Sequence, residues 1–357
     1  MSFDNLKFMC GAKYKEYIFA SCFQFNGLFK INCETGEREF VGSFPQESLA
    51  CENLHRNAFV IDQNVIFVPY KAKNIHIYDI GKNEFYVIEL NRGNYVNGYI
   101  GEKIDENIYL IPEMAGGDII EFDYGKKRAE VVISWKEFEH SLETKIKSGV
   151  AFYRICAIDK SLFLPLCNTN FIFEICISTK KLFVHVLKSV NVWGCFKGQK
   201  DIWVLANKGN EIYSWNKEKN MIKKINCEIL DPVNKRNINW IVDIGECVYA
   251  LPAWGKFIWE VKNDQLVKLE SFETRPIVLQ TFYEPIEEEK ILYLLPLGEN
   301  NLLKIQDKCI KQIEIQRLDE KSKLYGDIIE ANRDTAQNEI WIENIKFSLE
   351  QYVGLLL

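Results

Sequence analysis

The chain has 357 residues, and 44 Lys plus Arg against 50 Asp plus Glu give a formal charge of −6, which excludes a protein held to a polyanion by a basic surface. With 47% hydrophobic and 26% charged residues, it has an ordinary globular composition, not that of a disordered, collagen-like or low-complexity chain. Aromatic residues at 13%, including 16 Tyr, 23 Phe and 8 Trp, favour strands.

No apolar run approaches the roughly 18 residues of a membrane span, the closest being short ones such as Ile291 to Leu295, so the sequence predicts a soluble protein. Its first residues, MSFDNLKFMCGAKYKEY, lack the basic and apolar regions of a secretory signal, and a cytoplasmic location is expected. The 11 cysteines, at 10, 22, 33, 51, 156, 167, 176, 195, 227, 247 and 309, include no CxxC pair, which predicts buried thiols in a reducing compartment.

One pattern recurs along the chain: an apolar run, a proline, a polar loop and a second apolar run. A degenerate first copy, YIFASCFQFNGLFKI, starts at Tyr17, followed by NVIFVPYKAKNIHIYDI from Asn64 and NIYLIPEMAGGDIIEFDY from Asn107. The segment SWKEFEHSLETKIKS from Ser134 breaks the pattern: Trp135, Phe138, Leu142 and Ile146 share a helical face, and Ser134 with Glu137 forms a capping box. This predicts a helical insertion over about residues 134–148. The repeat resumes as SLFLPLCNTNFIFEICI from Ser161, DIWVLANKGNEIYSW from Asp201 with Ala206 at the proline position, CVYALPAWGKFIWEV from Cys247 and ILYLLPLGENNLLKI from Ile291. The stretch 338–344 offers a further strand, and KFSLEQYVGLLL a C-terminal helix, in a closing segment over about residues 327–357.

Pro69, Pro112, Pro165, Ala206, Pro252 and Pro296 are separated by 43, 53, 41, 46 and 44 residues, the period of a four-stranded propeller blade. Asp62, Asp105 and Asp159 fall in hairpin turns upstream of the prolines, where a carboxylate can accept from the backbone two residues on. Four strands per unit and seven units predict an all-β, seven-bladed β-propeller, with six or eight blades as the alternatives, forming one domain over residues 1–357. A pair of β-sandwiches does not carry such a period.

The unit FVIDQNVIFVPYKAKNIHIYDIGKNEFYVI resembles a kelch-type repeat, in which a turn precedes the second strand and Tyr-Asp ends the third. Proline replaces the kelch glycine pair, and the Trp-Asp of WD40 repeats is absent. The resemblance covers about residues 8–315 and implies architecture, with ligands taken by loops on one face, but no particular function.

Sequence signatures of chemistry are sparse. His55, His76, His140 and His185 form no HxH or HExxH pair, and no P-loop, GxGxxG or GxSxG occurs. No metal, cofactor or catalytic residue is therefore assigned, and enzyme activity is not indicated. The lysines of KEKNMIKKIN from Lys217 read as guards of an outer edge strand, not as a nucleic-acid site.

Loops that follow the second strand or enter the inner strand converge in a propeller. Those after the proline positions carry Tyr70, Glu113, Trp254 and Glu299, and the entries to the inner strands carry Arg56, Asn94, Tyr95, Tyr153, Arg154, Trp193, Asn239, Trp240 and Arg275. Candidate binding residues are Arg56, Tyr70, Asn94, Tyr95, Glu113, Arg154, Trp193, Trp240, Trp254 and Arg275, with packing between blades at strand starts as the alternative for Trp193 and Trp240. Arg154 in FYRICAID places a charge beside the channel, where it needs an acid or an anionic ligand. Glu113 and Glu299 are a weaker acid/base pair. Aromatic rings beside amides and guanidiniums suit a protein partner first and a glycan or small molecule second.

Overall fold

A computed structural model of the chain describes residues 6–91, 98–114, 117–135, 151–228, 238–253, 257–269, 282–297 and 300–316. These residues form seven four-stranded antiparallel sheets, each built from four consecutive strands. The first strand of each sheet contacts the first strand of the next: Phe8–Tyr14, His55–Ile61, Tyr99–Ile104, Cys156–Ile158, Val192–Lys197, Ile238–Ile244 and Phe282–Glu288, the last returning to the first. The chain is a seven-bladed β-propeller. Among the described residues no helix is long and apolar enough to cross a membrane.

The proline repeat marks the second strand of each blade. Pro69, Pro112, Pro165, Ala206, Pro252 and Pro296 end those strands, and Cys22 ends the corresponding strand of blade 1. A proline cannot donate within a ladder, so the strand end is where it is tolerated. The second strands read as continuous apolar runs because both of their faces are buried. Val65 and Phe67 join the cluster against blade 1, whereas the alternate residues Ile66 and Val68 join the cluster against blade 3. In blade 3, Ile108 and Leu110 face back while Tyr109 and Ile111 face blade 4. The described residues hold seven such clusters, one at each blade interface.

The two-residue turns Asp62-Gln63, Asp105-Glu106 and Asp159-Lys160 open with left-handed residues at φ 55°, 55° and 52°. Tolerance of that conformation, more than a side-chain bond, is what selects Asp. Lys15, Gly245 and Glu289 occupy the same place in blades 1, 6 and 7 with φ 52°, 64° and 50°. Of the helical insertion, Ser134 and Trp135 are described. Ser134 Oγ and the Trp135 N–H both donate to Asp118, and the indole packs on Phe152 and Phe173. The rest of that segment and the C-terminal closing segment lie outside the described residues.

Among the described residues the ring closes without strand exchange. Phe8, Ile18, Phe29 and Ile31 of blade 1 pack with Ile286, Tyr293, Leu295, Leu302 and Ile313 of blade 7. The Gln316 N–H donates to the Gly36 carbonyl at 2.9 Å, and Glu34 accepts from Lys304 and Lys311 at 2.5 and 3.3 Å. Gly36 sits at φ +72°, and a Cβ there would lie 1.9 Å from the Glu314 carbonyl oxygen.

A directional chain of hydrogen bonds joins blades 1 and 2. The Pro45 carbonyl can only accept, so His76 Nε2 donates to it at 3.0 Å. His76 Nδ1 must then accept from His55 Nε2 at 2.9 Å, leaving His55 Nδ1 to accept from the Ser21 hydroxyl at 2.9 Å. Both rings are neutral and fully buried. Burial lowers His76 to about 4 and holds His55 well below its usual range, with the neighbouring His76 adding to the latter.

Two outcomes follow from this architecture. Gly36→Ala is expected to destabilise the ring by more than about 1 kcal/mol, read as a lower urea midpoint, whereas Gly125→Ala in an outer turn with φ outside the left-handed region should stay within about 0.5 kcal/mol. The histidines are neutral when folded and ordinary when unfolded, so their contribution is present above pH 6.5 and is lost as pH falls toward 4. The channel carboxyls Glu284 and Glu102 act with the opposite sign over an overlapping window, because their raised values make stability fall as pH rises from 4.5. Comparing urea midpoints of wild type and His76→Gln at pH 7.0, 6.0 and 5.0 isolates the histidine contribution: the variant should lose less on acidification.

Candidate binding site

The entries to the inner strands are irregular. Pairing with the second strand slips between Phe8 and Cys10, His55 and Asn57, Val192 and Gly194, Ile238 and Trp240, and Phe282 and Pro285. A bulge inserts a residue outside the ladder and re-aims its side chain. Arg56, Trp193 and Asn239 are such residues. In blade 4 the regular strand starts only at Cys156, preceded by isolated bridges at Phe152 and Arg154. Arg154 bridges Gly194 of blade 5 in parallel, and its carbonyl accepts from the Cys195 N–H at 3.0 Å. A Cβ at Gly194 would stand 2.6 Å from Arg154 Cβ, so glycine is what admits this approach.

These side chains gather at one end of the channel as alternating rings and guanidiniums. The Arg56 guanidinium lies 5.6 Å from the Tyr70 ring and 6.0 Å from the Tyr153 ring. Arg154 lies 4.5 Å from Tyr153 and 4.0 Å from Trp240. The Tyr153 and Trp193 rings are 5.1 Å apart, and the Tyr153 hydroxyl accepts from Arg154 Nη2 at 3.4 Å and donates to Asn239 Oδ1 at 3.0 Å. Both arginines are 3% exposed and Asn239 2%, while Trp193 and Trp240 are half-buried. Desolvated cation–π contacts of this kind are each worth about 2 kcal/mol.

Glu113 follows the second strand of blade 3. Its N–H donates to the Gly98 carbonyl at 3.0 Å and its own carbonyl accepts from the Phe152 N–H at 2.9 Å, which sets its carboxylate 3.9 Å from Arg56 Nη1. The Tyr70 hydroxyl is raised above its usual range by burial and then by the Glu113 charge.

A second layer lies along the inner strands. Asn57 accepts from the Gly101 N–H at 2.7 Å and donates to Glu284 Oε1 at 2.5 Å, so one amide ties blades 2, 3 and 7. Burial pushes Glu284 up to about 7, against the Asn57 hydrogen bond and the charges of Arg154 and Arg56, which pull it down. Glu102, accepting from the Ala157 N–H at 3.2 Å, is pushed up to about 8 by burial and by the Glu284 charge. The channel thus holds two carboxyls that change charge near neutrality beneath two permanent cations.

Of the residues expected from sequence, Arg56, Tyr70, Glu113, Arg154, Trp193 and Trp240 meet at this mouth, joined by Tyr153 and Asn239. Arg154 is buried there and not exposed on the outer rim. Asn94, Tyr95, Trp254 and Arg275, and Glu299 of the weaker acid pair, lie outside the described residues. Asn57, Glu102 and Glu284 were not anticipated. Their signal was a polar residue interrupting inner-strand apolar runs, as in YIGEKI and FYEPIEE, the same signal that marked Arg154.

No protein-family model matches the chain, and no curated protein matches it. Solved structures do. YCF48 from Cyanidioschyzon merolae aligns with a TM-score of 0.61 over 85% of this chain and 97% of that one, at 12% identity. A chain of the mitotic checkpoint complex gives a TM-score of 0.56 over 86% and 89%, at 8% identity. PorZ, a bacterial surface component of the type-IX secretion system of Porphyromonas gingivalis, gives 0.57 at 12% identity over 87% of this chain but 38% of its own, so this chain spans less than half of PorZ. At such identities the likeness is one of fold.

Asn57→Leu should move Glu284 further above 7, because the bond removed is one that favours the ionised carboxyl. An NMR titration of side-chain carboxyl carbons in Glu-labelled protein reads this directly, and a downward shift would contradict the arrangement.

Proposed function

We propose that this propeller is a protein-binding platform whose recognition surface is the channel mouth, with no catalytic step assigned to it. The observation that carries the reading is the belt Tyr70, Arg56, Tyr153, Arg154 and Trp240, with Trp193 beside it. Tyr, Trp and Arg held in a partly desolvated centre are the residues that dominate binding energy at protein interfaces. A glycan site is less well supported, since a sugar stacks on a free ring face and Arg154 already stands over Trp240 and Tyr153. The mitotic checkpoint complex, by its name an assembly, shows a fold of this shape serving within a complex, which supports the reading by analogy.

The same reading takes residues 1–357 as one domain, kelch-like in the order of its elements, working in the cytoplasm. Supporting the location, all eleven cysteines are free, and Cys156 and Cys195 keep their sulfurs 3.7 Å apart as thiols.

The test is affinity capture from source-cell extract with three baits: wild type, Trp193→Ala at the mouth and Phe183→Ser on the outer edge of blade 4. A partner retained by wild type and the edge variant but reduced at least tenfold by Trp193→Ala supports the platform. Loss with the edge variant alone, or binding of wild type to a glycan array with no protein retained, overturns it.

A further inference from the structure

The mouth holds a donor that no described residue satisfies. Asn239 spends its Oδ1 on the Tyr153 hydroxyl, while its buried Nδ2 has no hydrogen-bond partner among the described residues. In this orientation of the amide the Tyr153 hydroxyl accepts from Arg154 and gives its one proton to Asn239 Oδ1. A buried N–H without an acceptor is costly, and this one stands beside a chain of hydrogen bonds that begins at a guanidinium.

The surrounding charge selects what would fill it. Arg56 and Arg154 supply two fixed positive charges, and Glu113 stands 3.9 Å from the first. Glu284 faces Arg56 and Asn57 of blade 2, Arg154 of blade 4, Glu102 of blade 3, Cys10 of blade 1 and Glu287 of its own strand. Two guanidiniums against the one Glu113 carboxylate leave the mouth with an excess of positive charge, which favours an anion. The flat, forked donors of arginine suit a carboxylate, and burial makes each such hydrogen bond stronger than at a wet surface.

We propose that Arg56, Arg154 and Asn239 Nδ2 form a receptor for one carboxylate group, carried by an acidic peptide segment that enters the channel mouth. This rests on the protein-binding reading and names the chemistry recognised there. The carboxylate accepts from Asn239 and the guanidiniums, and the half-buried ring of Trp193 covers the stem that bears it. Arrival of the anion favours the protonated form of Glu284, so binding takes up a proton and weakens as pH rises through 7.

The test uses the full chain and four probes at matched ionic strength: N-acetylaspartate α-amide for a side-chain carboxylate, N-acetylalanine for a chain-terminal one, inorganic phosphate, and sodium chloride. Tryptophan fluorescence and the thermal midpoint are read together. Saturable binding of one or both carboxylates in the millimolar range is expected, with the tighter of the two identifying the source. Asn239→Ala and Arg154→Gln should each weaken it at least tenfold, and Glu284→Gln should flatten its pH dependence between 6 and 8.5. Should Arg154→Gln fail to fold, Asn239→Ala decides alone. A carboxylate response no greater than that of chloride, phosphate binding tighter than either carboxylate, or unchanged binding in Asn239→Ala overturns the proposal. Because the probes need no partner, this failure is distinct from failure of the protein capture.

Discussion

The rest of the structure depends on the burial of the second strands on both faces. In a single sheet, Val65 and Phe67 would be covered only at the expense of Ile66 and Val68, because alternate residues point to opposite sides. Neighbouring blades on both sides solve this for every blade at once, provided the ring closes. The closure between blades 1 and 7 is therefore not an accessory. Without it Phe8, Phe29, Tyr293 and Leu302 would face water and the remaining clusters would form an open array with two apolar ends.

That constraint explains which parts of the fold the sequence disclosed. A strand buried on both faces is a continuous apolar run, and its end is where proline is tolerated, so Pro69, Pro112, Pro165, Pro252 and Pro296 punctuate the chain visibly. The period survived Ala206 because the apolar run before it, IWVL, did the same packing. Blade 1 was harder to read, since Ser21 and Cys22 stand where other blades carry an aliphatic residue and proline; Ser21 is retained by its bond to His55. The turns were legible at Asp62, Asp105 and Asp159 but not at Lys15 and Glu289, which hold the same left-handed conformation without a residue type that advertises it.

The site was legible to a different depth. Topology places loop residues at the mouth, and a charge such as Arg154 inside a strand announces that something must compensate it. What could not be read is the bulge. One extra residue in a ladder leaves no compositional mark, yet it takes Arg56 and Asn239 out of the strand alternation, while Trp193 at the same kind of slip still packs on the cluster between blades 5 and 6. The link between Asn57 and Glu284 was equally hidden, because it joins positions 227 residues apart that meet only when the ring is closed. The four histidines carried no motif, and the pairing of His55 with His76 comes from the register of two strands in blade 2 packed against blade 1.

The bulges also reconcile stability with a polar mouth. A residue inside the ladder of an inner strand contributes to a blade interface, so changing it alters packing that every other blade relies on. A bulged residue contributes little to the ladder, and a polar or charged side chain there is compatible with an apolar interface one position away. Cys10, Gly194 and Trp240 continue the regular pairing beside Met9, Trp193 and Asn239. The mouth can thus concentrate two arginines, an amide and several rings, a combination that would be costly in a core, while the clusters beneath it stay apolar. The carboxyl layer is mixed: Glu102 sits within the ladder opposite Tyr109, whereas Glu284 lies in the slip between Phe282 and Pro285. There the cost is met by protonation near neutral pH and by hydrogen bonds from Ala157 and Asn57. Ring geometry brings these acids beneath the arginines, so the charge state of the channel and the charge offered at its mouth are set together.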